Sequence, residues 1–310
     1  MKKKPLVFCG RASFKLARNI CELLGVSLSD LDIMSFADGE PWYRVVNGEQ
    51  IKGRHVVIVQ STPEYAPKTY FDLWGIMKSI KRYSPRRMTV VMPFMGFRRQ
   101  ERDKEGGEAV MAEMVAEVTV QMGATDVILC DPHAPVLAEY FTKAGAITKV
   151  ISGNQVFSEL MLHRDLTDHK VFTPDVGRED EATELAQLLG LDLLIGKKLR
   201  FDFDKSKSEG LEGDARDQMI IIREDEISTG GTMINACKEL KDAGAIGAII
   251  LATHGVFAAG SVQKMKRIDF IQEIWITDSI YLPWEKRIKK IKIKSIAHVL
   301  ARAVKEIHES

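Results

Sequence analysis

The chain alternates short runs of consecutive apolar residues with longer segments in which apolar residues recur every three or four positions. A continuous apolar run is typical of a strand buried on both faces of a parallel sheet, and the longer spacing is typical of an amphipathic helix. The alternation predicts an α/β fold with doubly wound, mostly parallel central sheets. The runs predicted as strands are Leu6–Cys9, His55–Gln60, Met88–Pro93, Val127–Cys130, Val171–Thr173, Leu193–Ile195, Met219–Ile222, Ile246–Thr253 and Glu273–Thr277.

Two helices have clear ends in the pattern. Glu179–Leu189 begins with three acidic residues, carries a leucine stripe and stops at Gly190. A second amphipathic segment, Ser295–His308, predicts a terminal helix that packs on the core. Before it, Lys286–Lys294 alternates isoleucines with lysines. That alternation favours an edge strand with one solvated face over a nucleic-acid-binding patch.

The number of predicted strands exceeds what one compact open sheet usually holds. We therefore divide the chain near residue 149, into an N-terminal domain of 1–149 and a C-terminal domain of 150–292. The last segment, 293–310, is expected to complete the N-terminal domain.

Composition narrows the class of protein. The 310 residues include 44 basic and 43 acidic side chains, which argues against a general nucleic-acid binder. The basic start, Met1–Pro5, leads into too short an apolar run for a signal peptide, and no run approaches the ~20 residues of a membrane span. The four cysteines are scattered, which predicts small core residues in a reducing cytoplasm.

The segment Met219–Thr232 is the most informative about chemistry. Its apolar run ends at Arg223, and Gly230 and Gly231 then open a helix with the 3.6-residue period. Two glycines at a strand-to-helix turn can aim backbone N–H groups outward, and the helix start adds partial positive charge. Hydroxyls surround this turn at Ser228, Thr229 and Thr232. The turn therefore predicts a phosphate site, although an ordinary capped connection has the same residue types.

The acidic residues just before this turn need a different role. Glu224 and Asp225 would repel a phosphate, but carboxylates can accept hydrogen bonds from the vicinal hydroxyls of a sugar. A phosphate pocket beside a diol acceptor is what a pentose 5-phosphate requires.

A long irregular segment, 197–217, follows a predicted strand and begins with Lys197, Lys198 and Arg200. Long loops inside compact domains are usually functional or disordered. Cations on a loop can close over the charge that develops on a polyphosphate, whereas the simpler alternative is a solvated surface loop.

Other polar clusters follow predicted strands. Phe97–Arg102 concentrates three arginines, which can bind phosphate through their forked donors, or can pair with the acids that follow. His133 and Asp175 each come just after a strand, at the edge where open α/β sheets bind ligands. Together they can hold Mg²⁺ with substrate phosphates, although a lone histidine there is more often structural. Phe36–Glu40 sets two acids around a glycine, which mostly indicates a turn.

Taken together, these motifs resemble those of the ribose-phosphate pyrophosphokinase family. The likeness runs from about Leu6 to the C-terminus and rests on several matches in register. The matching motifs are FADGE (36–40), FRRQER (97–102), DPHA (131–134), PDVG (174–177), STGGT (228–232) and THGVF (253–257). The resemblance implies two phosphoribosyltransferase-like domains. It also implies a reaction in which MgATP gives its pyrophosphoryl group to the C1 hydroxyl of ribose 5-phosphate, with AMP as the other product.

The resemblance further implies roles for single residues and an assembly. The partners it implies are ATP, ribose 5-phosphate and further copies of the chain, in a homo-oligomer (dimer or hexamer) with ATP bound across a subunit boundary. The cofactor is Mg²⁺, at His133 and Asp175. Lys197 takes the place of the loop lysine that acts on the transferring group, with Arg200 beside it. The ATP residues are Phe36, Asp38, Glu40, Arg99, Gln100 and Arg102. The ribose 5-phosphate residues are Glu224, Asp225, Ser228, Thr229, Gly230, Gly231 and Thr232.

Several positions depart from the family pattern. Leu199 stands where an arginine is usual, with only Arg200 to replace it, and Arg223-Glu224-Asp225 stands where the family has Val-Asp-Asp. The segment 103–108 is more acidic than expected. These departures keep open a non-catalytic regulatory homologue of the enzyme. A phosphoribosyltransferase is the other alternative, because that class shares the acidic pair and the TGGT loop.

Overall fold

The computed structural model describes residues 3–63, 65–174, 176–196, 211–258 and 260–310. The chain divides into two compact units. Unit 1 contains Met1–Ile151, Ser279–Tyr281 and Ser295–Ser310, and unit 2 contains Ser152–Asp278 and Leu282–Lys294.

The described ranges contain strands and helices in regular alternation. The strands are β1 (Leu6–Cys9), β2 (Leu31–Ser35), β3 (Pro41–Val45), β4 (His55–Val59), β5 (Arg87–Met92), β6 (Asp126–Cys130), β7 (Ile147–Ile151), β8 (His169–Thr173), β9 (Leu193–Gly196), β10 (Leu211–Glu212), β11 (Met219–Ile227), β12 (Gly247–Gly255), β13 (Ile271–Thr277) and β14 (Ile291–Lys294). The α-helices are α1 (Phe14–Leu24), α2 (Ala66–Lys81), α3 (Met111–Gln121), α4 (Val136–Lys143), α5 (Asn154–Met161), α6 (Glu179–Leu189), α7 (Gly231–Asp242), α8 (Ser261–Lys266) and α9 (Ala297–Glu309).

Unit 1 is built on a five-stranded sheet in the order β1-β4-β5-β6-β7, in which every neighbouring pair is parallel. One face of the sheet packs against α2, α3 and α4, for example through Val90 with Leu73 and Val115. Because strand side chains alternate between faces, the buried valines Val57 and Val91 point to the opposite face. Helices α1 and α9 pack against each other in this unit, so the terminal helix predicted from the sequence is present.

Unit 2 is built on a seven-stranded sheet in the order β10-β9-β8-β11-β12-β13-β14. All its pairs are parallel except β10 with β9. Ile220 and Ile222 pack with the α7 residue Met233, whereas Ile221 packs with Leu185 of α6 and Phe157 of α5. Helices therefore cover both faces, and the predicted α/β fold class is confirmed. Strand β14 lies at the edge, as its alternating pattern predicted.

The predicted end of the strand at Ile222 is wrong. Strand β11 continues through Arg223, Glu224, Asp225 and Glu226 to Ile227, because β12 runs beside it as far as Gly255. Side chains from other segments, described below, contact two of the charged residues that the longer strand buries, Arg223 and Asp225. An apolar pattern along one strand cannot report partners that come from elsewhere in the chain.

Four further strands were absent from the predicted ones: β2, β3, β7, and β10, which lies in the segment 197–217 predicted to be irregular. Strands β2 and β3 form an antiparallel hairpin, which is half exposed and fastened by the Arg44–Asp32 ion pair at 2.6 Å. Its turn lies at Asp38–Gly39, where the sequence predicted one. Strand β7 was also missed, and residue 149 lies within it.

Two smaller expectations have structural outcomes. All four cysteines are buried free thiols, which confirms them as core residues. In the described part of the chain, no helix is both long enough and apolar enough to span a bilayer.

A buried polar network fastens the C-terminal helix to the sheet of unit 1. His55, at the start of β4, stacks on His308 of α9, with 2.9 Å between their Nδ1 atoms. The other His55 nitrogen lies 2.8 Å from the Thr89 hydroxyl. Arg87 pairs with Asp126 at 2.6 Å and also donates to the Ile307 carbonyl at 2.6 Å. Burial, reinforced by the adjacent His308 and Arg87, lowers the pKa of His55 to about 4.

This network predicts an acid-sensitive stability. His55 is ordinarily protonated below about 6.5 when the chain unfolds but stays neutral in the folded protein down to about pH 4. The unfolded state therefore binds more protons in this window, and stability falls as the pH falls from 6.5 towards 4. We expect wild type to lose about 2 kcal/mol of unfolding free energy from this group between pH 7.5 and 5.0.

Urea unfolding of His55→Gln at the two pH values measures this contribution. The pH-dependent loss should shrink in that variant and persist in a control, His163→Gln, whose side chain is exposed. An equal loss in wild type and His55→Gln would contradict the assignment.

Candidate active site

The turn between β11 and α7 has the form that the glycines predicted. Residues 228–230 make the turn, and Gly230 caps the helix with φ of +77°. A Cβ at Gly230 would lie 3.5 Å from Met265, an ordinary contact, so the backbone angle rather than lack of space requires glycine. The first N–H groups of the twelve-residue α7 point towards the turn, as the start of a helix dictates.

A second segment holds this turn in place. The Phe257 N–H donates to the Ile227 carbonyl at 2.9 Å, and the Ala258 N–H donates to the Ser228 carbonyl at 3.0 Å. The THGVF motif, for which the sequence indicated a resemblance but no role, therefore braces the end of β11. Ser228 is half buried, whereas Thr229 and Thr232 are exposed.

The acid pair lies just before the turn and is buried, with Glu224 9% and Asp225 3% exposed. Asp225 accepts the Glu226 N–H at Oδ1 (2.8 Å) and the Arg178 guanidinium at Oδ2 (2.5 Å). Glu224 accepts the Asp225 N–H at Oε1 (3.2 Å). Burial, reinforced by the Asp225 charge, raises the pKa of Glu224 well above its ordinary value. A carboxyl group that holds its proton longer can both donate to and accept from a hydroxyl.

Two arginines lie next to the acid pair, one from the segment after β8 and one on β11 itself. Arg178, in the short 3₁₀ turn Val176–Arg178, pairs with Glu181 of α6 at 2.7 Å as well as with Asp225. Arg223 is 1% exposed and donates to Asn154 at 2.6 Å and to the Glu224 carbonyl. Its guanidinium also lies 5.3 Å from the centre of the Phe157 ring. Within unit 2, Arg178 therefore compensates Asp225, whereas Arg223 is held by an amide, a carbonyl and an aromatic ring.

The segment predicted to contact adenine and ribose is the tip of the β2–β3 hairpin. The Phe36 N–H donates to the Glu40 carbonyl at 2.8 Å, and Asp38 accepts the Glu40 N–H at 3.1 Å. Asp38 and Glu40 are exposed, and Phe36 exposes 58% of its surface. The tip thus presents a flat aromatic ring with two carboxylates in solvent, a combination suited to a base with attached hydroxyls.

The arginine-rich segment follows β5. Arg98 stacks over Phe94, with 4.4 Å from its guanidinium carbon to the ring centre. Arg99, Gln100 and Arg102 are exposed, and Arg102 lies 3.3 Å from Glu101. Next to them, Asp103 accepts the N–H groups of Gly106 and Gly107. The acidic stretch 103–108 is thus organised by its own backbone contacts.

Helix α2 anchors both segments in unit 1. The Tyr43 hydroxyl of β3 donates to Asp72 at 2.8 Å, and Tyr70 stacks on Phe97 with ring centres 5.8 Å apart. A Cβ at Gly75 would lie 2.3 Å from the Tyr43 ring, so this glycine allows the hairpin to lie close to α2. The hairpin tip and the arginine-rich segment are therefore supported by one helix.

Of the two predicted metal residues, the structure describes His133 but not Asp175. His133 is half buried and follows β6, which pairs in parallel with β5, so it lies at the same sheet edge as 97–102. Asp175 lies outside the described residues, as do Lys197 and Arg200. The described residues contain no group of three or more His, Cys, Asp or Glu side chains that could hold a metal. Mg²⁺ is commonly bound through one or two carboxylates together with substrate phosphates, so Asp175 has the ligand type that Mg²⁺ prefers and the His133 imidazole does not.

One residue of the acid-pair network was missed from the sequence. Arg178 directly follows the PDVG motif, after β8, and β8 is the strand that pairs with β11. Its position beside a strand end was the available signal. The sequence could not show that its guanidinium meets Asp225, because the two residues are 47 positions apart.

Comparisons with known proteins agree with these motifs. Residues 6–123 match the model of the N-terminal domain of ribose phosphate pyrophosphokinase, and residues 203–310 match the phosphoribosyl synthetase-associated domain. The Caldanaerobacter subterraneus protein named ribose-phosphate pyrophosphokinase is 33% identical, over 98% of this chain and 94% of its own length. The chain belongs to the ribose-phosphate pyrophosphokinase family.

Other members of the family give the same result. The ribose-phosphate pyrophosphokinase of Thermotoga maritima is 30% identical over 98% of this chain and 95% of its own length. The crystal structure of phosphoribosylpyrophosphate synthetase from Mycobacterium smegmatis superposes with a TM-score of 0.90, at 26% identity, and covers 99% of both chains. The resemblance seen in the sequence motifs is confirmed.

Proposed function

We propose that this protein transfers the pyrophosphoryl group of MgATP to the C1 hydroxyl of ribose 5-phosphate, giving 5-phosphoribosyl 1-pyrophosphate and AMP. One observation carries the proposal: a buried acid pair and a glycine-hinged helix start lie consecutively on β11 and α7. Acids suited to sugar hydroxyls therefore lie next to N–H groups suited to a phosphate. Membership of the family supports the same reaction.

The sugar phosphate is assigned to unit 2. Glu224 and Asp225 accept its ring hydroxyls, while the turn cradles the 5-phosphate with backbone N–H groups and hydroxyls. The turn residues are Ser228, Thr229, Gly230, Gly231 and Thr232. Because the proposed phosphate contacts come mainly from main-chain N–H groups and short side chains, the backbone conformation of the turn determines where these donors lie.

ATP is assigned to unit 1. Phe36 offers its exposed ring to the adenine, and Asp38 and Glu40 lie at the same tip. The remaining nucleotide residues are Arg99, Gln100 and Arg102. The corresponding domains are 1–149 with 293–310 for ATP, and 150–292 for ribose 5-phosphate.

Catalysis rests on positioning and charge neutralisation. The sugar C1 oxygen attacks the β-phosphorus in line, and AMP is the leaving group. His133 and Asp175 would hold Mg²⁺, which would supply positive charge to the phosphate oxygens. Lys197 and Arg200 stabilise the charge that accumulates on the leaving phosphate.

The proposed assembly, partners and cellular location are those that membership of the family implies. The active form is a homo-oligomer, a dimer or a hexamer, with no nucleic acid or membrane as partner. The buried free thiols suit a reducing compartment, and the proposed location is the cytoplasm.

Incubation of the pure protein with MgATP and ribose 5-phosphate tests the proposal. AMP and 5-phosphoribosyl 1-pyrophosphate should appear in equal amounts, and both should vanish when the metal is chelated or the sugar is omitted. Correct folding and ligand binding without AMP would indicate a regulatory homologue. Pyrophosphate release from 5-phosphoribosyl 1-pyrophosphate only on addition of a nucleobase would indicate a phosphoribosyltransferase.

A further inference from the structure

The two acids of the pair are held in different ways. Asp225 has both carboxylate oxygens engaged, one by the Glu226 N–H and one by Arg178. Glu224 has one oxygen engaged by the Asp225 N–H, and among the described residues no cation is paired directly with it. Adjacent acids with the same predicted role therefore differ in how much acceptor capacity they retain.

Strand alternation assigns the two acids to different faces of the sheet at their Cβ atoms, while the Glu224 carboxyl turns back to the N–H and the side chain of Asp225. Ile220 and Ile222 face α7, and Ile221 faces α5 and α6. Continued alternation along β11 puts Glu224 on the α7 face and Asp225 on the α6 face. The glycine turn opens α7, so Glu224 shares its face with the proposed phosphate cradle.

Helix α6 and its neighbours fix the cationic side. Arg178 is 8% exposed and divides its guanidinium between Glu181 and Asp225. Arg223 is fixed by Asn154, whose amide donates to Glu184 of α6 at 2.6 Å. Both arginines are thus braced by acids of one helix, which keeps them from moving freely towards a ligand.

We propose that Arg178 is a positioning residue for the ribose 5-phosphate site: it holds Asp225 on the α6 face and thereby leaves Glu224 as the main acceptor of the pair for the sugar hydroxyls. The inference rests on the proposed function, because it concerns the same site. Arg178 acts through Asp225 and contacts no substrate.

The fork of the guanidinium is essential to this role. A lysine at 178 keeps the charge but cannot bridge two carboxylates with parallel donors. A methionine keeps much of the volume but removes the charge that pairs with Asp225 and favours the ionised form of Glu224. The pKa of Glu224 then rises further, since its ionised form loses the favourable charge of Arg178.

Kinetics of Arg178→Met and Arg178→Lys test the proposal. Arg178→Met should raise the KM for ribose 5-phosphate about tenfold or more, as loss of one charge-assisted hydrogen bond predicts, and leave the KM for ATP within about twofold. The acidic limb of its kcat/KM profile should move up by about one pH unit. Arg178→Lys should keep the acidic limb in place while the sugar KM rises less.

A matched control and a double-mutant cycle separate positioning from general damage. Arg164→Met breaks another ion pair of unit 2, Arg164–Glu273 at 2.8 Å, and should lower Tm without altering the sugar KM or the pH profile. The effects of Arg178→Met and Asp225→Asn on the sugar KM should not be multiplicative, because both variants break one contact. Glu224→Gln should also be less than multiplicative with Arg178→Met, because it removes the acid through which Arg178 acts.

The outcomes are decisive in each direction. An unchanged sugar KM and pH profile in Arg178→Met, or a sugar KM that rises in Asp225→Asn but not in Glu224→Gln, overturns the inference. If wild type makes no AMP, the proposed reaction fails, and calorimetric titration with ribose 5-phosphate then decides the inference. Weaker binding by Arg178→Met than by wild type supports it, and equal or no binding by both overturns it.

Discussion

Replacing Gly230 with valine should raise the KM for ribose 5-phosphate by about 100-fold or more. Gly230 has φ of +77°, where a β-branched residue is strained by roughly 1–3 kcal/mol. The turn relieves that strain by moving, and the N–H groups of the turn and of early α7 move with it. Losing two charge-assisted hydrogen bonds to a phosphate accounts for the expected factor. Initial rates at varied sugar phosphate and saturating MgATP measure the change.

Gly190→Val is the matched control for this experiment. Gly190 ends α6 in unit 2 with φ of +67°, and a Cβ there would meet no heavy atom within 4 Å. The control introduces similar strain at a helix end away from β11, so its Tm should fall comparably while its sugar KM stays unchanged. Normal saturation by ribose 5-phosphate in Gly230→Val would mean that the phosphate binds elsewhere.

The sequence predicted the elements whose information is local. Helix α6 has the predicted bounds, because acids in its first turn and Gly190 at its end mark both limits. Most sheet strands were predicted because parallel strands buried on both faces consist of continuous apolar residues. The glycine turn was visible for a similar reason, since its conformation depends on residues within the turn itself.

The features that the sequence did not reveal depend on distant residues. The β2–β3 hairpin is half exposed and relies on Tyr43 meeting Asp72 of α2. The extension of β11 buries Asp225, whose charge is compensated by Arg178. It also buries Arg223, which donates a hydrogen bond to Asn154. A buried charge is tolerable only when its partners are in place, and no local pattern specifies partners tens of residues away.

Two of the departures from the family pattern, Arg223 and the stretch 103–108, lie in different surroundings in the structure. Arg223 is integrated into the core of unit 2, with a hydrogen-bond partner and an aromatic ring beside it. The acidic stretch after Arg102 is organised around Asp103. Arg223 is thus a core residue, whereas 103–108 is an exposed stretch with backbone contacts of its own. Both are compatible with a folded site that keeps its acid pair and glycine turn.

Replacing Lys197 with alanine should reduce kcat for AMP release by ~10²–10³ or more, the usual effect of removing one preorganised donor from a developing charge. Lys197 lies outside the described residues, so this prediction rests on its place in the sequence and on the family. Because the charge arises during transfer, the loss should fall mainly on kcat, with the KM values for ATP and ribose 5-phosphate within a few-fold of wild type.

Lys170→Ala supplies the control. It removes a cation of β8, in unit 2, that pairs with Asp192 at 3.3 Å. It should retain kcat, whereas a near-normal rate of AMP release in Lys197→Ala would remove Lys197 from the catalytic role.

Arg200→Ala tests the second cation of the loop. Leu199 stands where the family has an arginine, so Arg200 is the remaining candidate for that cation. If both side chains neutralise the same leaving phosphate, the double variant should lose less than the product of the two single losses. Fully multiplicative losses would instead assign the two cations to separate groups of the transition state.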